Sequence, residues 1–336
     1  MLRRIMLVVM AVLMMVGFVG CGKDTDSSTG SPSAVPSPSQ GTEPTFDFTS
    51  SAGVNELYQL TDGNQIMSYM IKTKNGKLIM IDGGYEHNYQ EIVALAKYLT
   101  GKAVPEIEAW FFSHSHGDHV NAFSELMLKQ KGLITVKKIY HHFTSEEYVK
   151  TEEKANLKNF RQVMAAIRTC DPDGSKTVVV EQGDVLNIDG VKVEVMLVPD
   201  ENAQMLVENV AINEASVIYR MTLDEQRIMF LGDAYQVAGN RLMEAWPGAL
   251  ESEIVQMAHH GSQGVQNAVY NAIAPKVCLW PTPQWLWDNN EDGKGYNTGN
   301  WETITLHRYM KNKLGVKHHY VAKDGLQQLV FPLDLD

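Results

Sequence analysis

The chain has 336 residues, enough for one large domain or two modest ones, and its composition, 44% hydrophobic and 21% charged, is that of a globular protein with a sizeable core. A formal net charge of −11 argues against binding nucleic acid through a broadly basic surface. Nucleic acid stays open only as a substrate, since a local groove or a metal pair overrides the mean.

Arg3 and Arg4 precede a run from Ile5 to Val19 that is nearly all apolar. The run is short for a spanning helix and has the length of a signal-peptide core. It ends in Phe18-Val19-Gly20-Cys21, which resembles the bacterial lipobox with Phe18 in place of leucine. On that reading residues 1–20 are a signal peptide and Cys21 is lipidated. The protein is then extracytoplasmic and held to a bacterial membrane through its lipid alone. The alternative is a secreted chain cut near Gly20, with Cys21 left as a free thiol. Residues 21–52 are rich in Ser, Thr, Pro and Gly and read as a disordered tether, because they carry too little apolar surface to offset ordering. Residues 53–336 contain no further linker and read as one domain, expected to be monomeric.

Within that domain, Glu56–Leu60 and Gln65–Lys72 are predicted strands around Asp62-Gly63-Asn64, and Asn75-Gly76 signals a hairpin into Lys77–Ile81. Asp82-Gly83-Gly84 closes that strand. Gln90–Leu99 has helical periodicity, and Ile107–Phe112 is a buried strand. Asn121–Lys129 and Glu146–Thr169 are predicted helices on either side of a strand at Val136–Tyr140. Thr177–Glu181, Val191–Val198, Ala215–Met221 and Arg227–Leu231 follow as strands. Asn240–Ala245 is helical, Ile254–Met257 a strand, Val265–Ala274 a helix and Val277–Trp280 a strand. A loop, Asp288–Asn300, is expected to be mobile. A helix at Trp301–Lys313 and a closing hairpin around Asp324-Gly325 complete the chain. Two runs of strands, each followed by helices, predict an α/β protein of two packed mixed sheets with outer helices, a four-layer αββα sandwich.

The strand Ile107–Phe112 runs directly into His114, His116, Asp118 and His119, four potential ligands within six residues. Imidazoles and a carboxylate suit zinc, and also iron or manganese. Gly117 is expected to let the loop turn sharply. The bland reading is a polar, solvated loop. Cys170 and Cys278 lie in apolar surroundings, as a disulfide or as two buried thiols, and carry no metal-ligand spacing.

This HxHxDH pattern after a buried strand resembles the hallmark of the metallo-β-lactamase superfamily. The resemblance assigns His114 and His116 to a first metal site, and Asp118 and His119 to a second. Phe230-Leu231-Gly232-Asp233-Ala234 resembles the segment whose aspartate bridges both metals. Met257-Ala258-His259-His260-Gly261-Ser262 resembles the segment that supplies the last ligand. Because neighbours on a strand face opposite sides, one of the pair ligates; His260 is taken as the ligand and His259 as a substrate or transition-state contact. Asp82-Gly83-Gly84 matches a further family feature, whose aspartate would orient a ligating histidine such as His119 from behind. The order of these motifs is similar to that of a ComEC-like subgroup and of phosphorylcholine esterases.

One family ligand is missing. The family's first site takes a third histidine after a strand, but the corresponding stretch reads Met196-Leu197-Val198-Pro199-Asp200-Glu201-Asn202, with Val198 where histidine is expected. Either Asp200 or Glu201 substitutes, or that site is weak. His141 and His142 are misplaced for the role. Trp280, Trp285, Trp287 and Trp301 read either as pocket wall and core or as a cage for a quaternary ammonium. His307, His318 and His319 read as structural, and Asn213 and Ser216 as hydrogen bonders at a strand start.

The resemblance implies a dinuclear hydrolase with two Zn2+ sites, the one holding His114 and His116 being weak unless Asp200 or Glu201 replaces the missing histidine. Two ions at a bridging carboxylate lower the pKa of water and neutralise charge in the transition state. Asp118 would accept a proton, and His259 would stabilise a leaving or phosphoryl oxygen. The leading substrate is a small-molecule phosphoester or a phosphodiester. The alternatives are a lactone or β-lactam acyl hydrolase, and a binding lipoprotein that has lost catalysis.

Overall fold

Fifteen strands and nine α-helices are assigned among residues 46–336, which the computed structural model describes apart from residue 208. The signal peptide, Cys21 and most of the tether lie outside the described residues. Residues 46–51, assigned to the tether on composition, pack onto the domain. The rings of Phe48 and Tyr58 lie 5.1 Å apart, and Lys72 Nζ donates to the Ser51 carbonyl. Phe46 and Phe48 supply the apolar surface that the rest of that segment lacks.

The first sheet contains β1 (Glu56–Gln59), β2 (Ser68–Lys72), β3 (Leu78–Asp82), β4 (Glu106–Phe111), β5 (Thr135–Val136), β6 (Ile139–His141) and β7 (Thr177–Val179). The second contains β8 (Val185–Ile188), β9 (Val191–Leu197), β10 (Ile218–Leu223), β11 (Gln226–Phe230), β12 (Ile254–Gln256), β13 (Val277–Trp280) and β14 (His318–Val321). β15 (Gln327–Val330) returns to the first sheet and pairs antiparallel with β1. The strand orders are β15-β1-β2-β3-β4-β6-β7, with β5 beside β4, and β14-β13-β12-β11-β10-β9-β8. Each sheet joins antiparallel strands to parallel ones, the change falling at β3–β4 and at β11–β12. The α/β sandwich expected from the sequence is the observed fold.

Strand alternation builds the layers. Ile79 and Ile81 of β3 face Val193, Val195, Tyr219 and Phe230 in the core between the sheets. Leu78 and Met80 point the other way, onto Ile92 and Leu95 of α1 (Tyr89–Thr100) and Phe123 of α2 (Gly117–Leu128). Two further helices follow on this side, α3 (Glu146–Glu152) and α4 (Leu157–Cys170). A short α5 (Ala211–Glu214) precedes β10. Outside the second sheet, α6 (Gln236–Ala245), α7 (Asn267–Ile273) and α9 (Thr303–Asn312) cover Met229, Val255 and Cys278, with a one-turn α8 (Gln284–Trp287) between α7 and α9.

Several local expectations are corrected. The helix expected at Glu146–Thr169 is interrupted at Glu153, whose backbone (φ −149°, ψ 64°) is not helical. Ala215–Met221 is a strand only from Ile218, because α5 and a turn come first. β8 was not foreseen, although Asp189-Gly190, both at positive φ, is a strong two-residue hairpin signal. The turn at Asp324-Gly325 does not close a hairpin. β14 runs parallel to β13 in one sheet while β15 joins β1 in the other, so the chain crosses between sheets there. A turn signal is local, whereas the choice of partner strand is tertiary. The Asp288–Asn300 loop is stapled by the buried Asn289 side chain, which bonds Asn297, the Gly299 carbonyl and the Trp301 amide. Cys170 and Cys278 are free thiols.

Candidate metal centre

The donors converge from strand ends of both sheets. β4 delivers Ser113 to His116, and His116 caps α2, whose first turn carries Asp118 and His119. Gly117 does not make the sharp turn expected of it, since it lies outside the left-handed region. Its lack of a side chain answers a close approach instead: a Cβ would lie 2.7 Å from Asn121 Nδ2 and 3.0 Å from Asn159 Nδ2. From the second sheet, β11 leads through Gly232 to Asp233. Gly232 has φ 58°, and a Cβ there would meet Ser113 Cβ and Ser216 Oγ at 2.9 Å.

His259 and His260 lie beyond the end of β12, in a tight turn, so strand alternation does not decide between them. Both are left-handed, with φ 46° and 56°, and so is Asp82, with φ 52°. Such backbone costs about 1–3 kcal/mol per non-glycine residue and gathers where a site demands it.

Two donor groups form, each with one ligand atom per residue lying within 4.8 Å of the others: Asp118, His119, Asp233 and His260, and His114, His116 and Asp233. Asp233 belongs to both. Its Oδ2 lies 3.3 Å from His119 Nε2, 3.4 Å from His260 Nε2 and 3.8 Å from His114 Nε2. Asp118 Oδ2 is 3.2 Å from His260 Nε2, and His114 Nε2 is 3.1 Å from His116 Nδ1.

The far sides of these groups are held by a second ring of residues. Asp82 Oδ2 is 2.7 Å from His119 Nδ1, and the same carboxylate accepts from the Ser113 amide and hydroxyl. Ser216 Oγ accepts the Asp233 amide at 3.0 Å and lies 3.4 Å from His114 Nδ1. Glu214, on α5, accepts the amides of Val237 and Ala238 and so anchors the helix that follows Asp233. Glu153 Oε1 lies 2.5 Å from His116 Nε2. The sequence reading missed Ser113, Glu153 and Glu214, which carry no motif of their own.

The buried donors shift one another's protonation. Burial pushes His114 well below its ordinary pKa, helped by His119. Burial acts likewise on His119, but Asp233, Asp82 and Asp118 outweigh it and hold that ring well above the ordinary value. In the same way Asp233 and Asp118 overcome burial and raise His260 to about 9. Burial opposes ionisation of Asp233 and Asp118, yet the neighbouring imidazoles hold both carboxylates below the usual range. Nonetheless His119 Nε2, both ring nitrogens of His260 and Asp233 Oδ1 are buried without a hydrogen bond. Buried polar atoms left unpaired are costly, and a cation would satisfy the Nε2 atoms of His119 and His260, which face the Asp233 and Asp118 carboxylates. The residues therefore fit a metal pair, and their nitrogen and oxygen donors suit zinc, iron and manganese alike.

His259 is not among the donors. Its Nδ1 is held by Tyr235 Oη at 2.9 Å and Ser262 Oγ at 2.8 Å, and burial lowers its pKa to about 4. Neither substitute considered for the missing histidine reaches the first group. Glu201 is bound to the amide and hydroxyl of Ser145, and Asp200 accepts the Asn202 amide. Val198 is partly buried against the core between the sheets. His141 is buried and stacks on Phe143. The tryptophans form no single cage: Trp280 and Trp287 pack with His307 and His319, whereas Trp301 stands 6.2 Å from His259.

Residues 61–203 match the family described as metallo-beta-lactamase superfamily. No curated protein matches the chain. Among solved structures, the chain is similar to the metallo-beta-lactamase fold protein YhfI from Bacillus subtilis, with 11% identity, TM-score 0.47, and 82% of this chain and 100% of that one covered. It is similar to CmlA, a diiron beta-hydroxylase from Streptomyces venezuelae, with 11% identity, TM-score 0.48, and 83% and 54% covered. A diphosphatase from the PhnP family shows 13% identity, TM-score 0.43, and 84% and 100% covered.

Proposed function

We propose that this chain, whose residues 61–203 match the metallo-beta-lactamase superfamily, is a metal-dependent hydrolase of phosphoesters, with phosphodiesters as the leading substrate class. The observation that carries the reading is Asp233 Oδ2, placed 3.3–3.8 Å from imidazole nitrogens of both donor groups. His114, His116 and Asp233 would hold one ion, and Asp118, His119, Asp233 and His260 the other. A bound pair supplies Lewis acidity and lowers the pKa of water toward neutrality.

The chain's own residues supply the rest. Asp118, kept ionised by His119 and His260, is in place to accept a proton from the attacking water. His259, neutral at physiological pH and anchored through Nδ1, offers its other nitrogen to an oxygen that gains charge in the transition state. The His-His-Gly-Ser form and the ComEC-like motif order favour a phosphodiester over a lactone or β-lactam. Turnover of bis-p-nitrophenyl phosphate by zinc- or manganese-loaded protein tests the reading. Hydrolysis of nitrophenyl carboxylic esters alone would replace it with acyl transfer. Metal uptake without turnover of any ester would replace it with a binding role, which the three-donor first group favours.

A further inference from the structure

The first donor group contains two imidazoles and a shared carboxylate, one donor fewer than the second group. A site so sparsely held depends on how firmly its few ligands are aimed. His114 is aimed: it is fully buried, with Ser113 Oγ 3.0 Å from its Nδ1. His116 caps a helix at the rim of the site and has no wall of comparable depth. Its ring touches His114 on the donor side, and on the far side it is held by the carboxylate of Glu153.

The helix breaks at the residue that makes that contact. The pattern from Glu146 to Thr169 is helical, yet the chain leaves the helix at Glu153, makes a 3₁₀ turn over Lys154–Asn156, and resumes at Leu157. There is no proline or glycine at the break. Instead Glu153 Oε1 lies 2.5 Å from His116 Nε2, and Oε2 accepts the Ile212 amide at 3.3 Å. His116 Nδ1 meanwhile faces His114 Nε2 at 3.1 Å, so the ring turns one nitrogen to the donor group and the other to Glu153. A carboxylate at the far nitrogen keeps the proton there and leaves the lone pair on the near one. It also fixes the ring plane and makes the imidazole a better donor.

We propose that Glu153 is the positioning residue of the first metal site, strengthening by orientation of His116 a group that lacks a further histidine. The proposal rests on the metal-dependent reading above. It treats Glu153 as an outer partner and not a ligand, in keeping with its absence from both donor groups.

The test is competition between the full-length protein and a chelator for cobalt(II), read by bound-metal stoichiometry and by the visible absorption of each bound ion. Wild type, Glu153→Ala, Glu153→Gln, His116→Ala and Glu152→Ala are compared, the last a control at an exposed neighbour. Glu153→Ala should weaken one ion by about 10–100-fold, the scale of lost outer partners, while the other ion stays put; the metal-free melting temperature separately reads the Ile212 amide's loss of its acceptor. The ion affected should be the one that His116→Ala loses. Glu153→Gln, which can still accept from Nε2, should fall between, and it carries the test if the alanine variant does not fold. Two ions held as in wild type would overturn the proposal, and so would equal weakening of both. Failure of the wild type to bind any metal would overturn the hydrolase reading itself. Normal wild-type binding with no effect of Glu153 would leave that reading standing and defeat this one.

Discussion

Asp82 Oδ2 stands 2.7 Å from Nδ1 of His119, and neither residue has any solvent exposure. The aspartate reaches this position from the end of β3 in a left-handed backbone conformation, and it also binds the Ser113 amide and hydroxyl at the root of the histidine loop. It therefore sets both the ring of His119 and the path of the loop. Asp82→Asn should weaken metal retention by about 10–100-fold, the usual cost of an outer partner. Equilibrium competition for zinc measures it, and wild-type affinity in the variant would remove Asp82 from this role.

Asp233 is shared by both donor groups, so Asp233→Ala should lose most bound metal together with activity. Elemental analysis after desalting reads the first, phosphodiester turnover the second. His307→Ala should leave both near wild type, because that ring packs among Trp280, Trp287 and His319. Two ions retained in the Asp233 variant would exclude it as the bridge.

The donor groups are unequal, four residues against three. Zinc favours four ligands, so the His114 and His116 site must complete its shell with water or substrate and should release its ion first. Chelator titration should show two separated steps, with activity falling in the first. Val198→His should tighten the weaker site. A single step with equal affinities would contradict the inequality.

Away from the site, Arg227 and Glu253 tie the starts of β11 and β12 through contacts of 2.7 and 3.1 Å. Burial opposes ionisation of Glu253, but the guanidinium outweighs it and lowers the pKa to about 2 from an ordinary 4.5. A depressed carboxylate pKa contributes stability above the unfolded value, and that contribution is lost as pH falls through the folded one. Glu253→Gln should therefore lower the melting temperature at pH 7, with the difference from wild type shrinking between about pH 4.5 and pH 2. A difference independent of pH would show that the ion pair is not its source.

Lipid anchoring at Cys21 is a proposal of the N-terminal motif alone. Cys21→Ser should release or misprocess the protein, as membrane fractionation and the mass of the mature chain would show. A variant that stays membrane-bound and fully processed would refute lipidation.

Much of the fold and the densest part of the site were legible in the linear order of residues. Side chains alternate along a strand and recur every 3.6 residues on a helix, so the layers follow from patterns such as Leu78–Ile81. His114 to His119 are close in space because they are close in sequence. Asp233 and His260 could be named only through resemblance to a family, and their meeting is a property of two strand ends in one sheet. Ser113, Glu153 and Glu214 had no such signal, and Ser216 was legible only as a hydrogen bonder at a strand start. Glu153 is 37 positions from His116, and Ser216 is 102 from His114. Which far nitrogen each outer residue reaches depends on where a broken helix and a short α5 are packed. The same holds for β14 and β15, whose shared turn is local while their separate sheets are not. Local backbone geometry determines what each segment becomes; only packing of segments distant in sequence decides which side chains hold the donors in place.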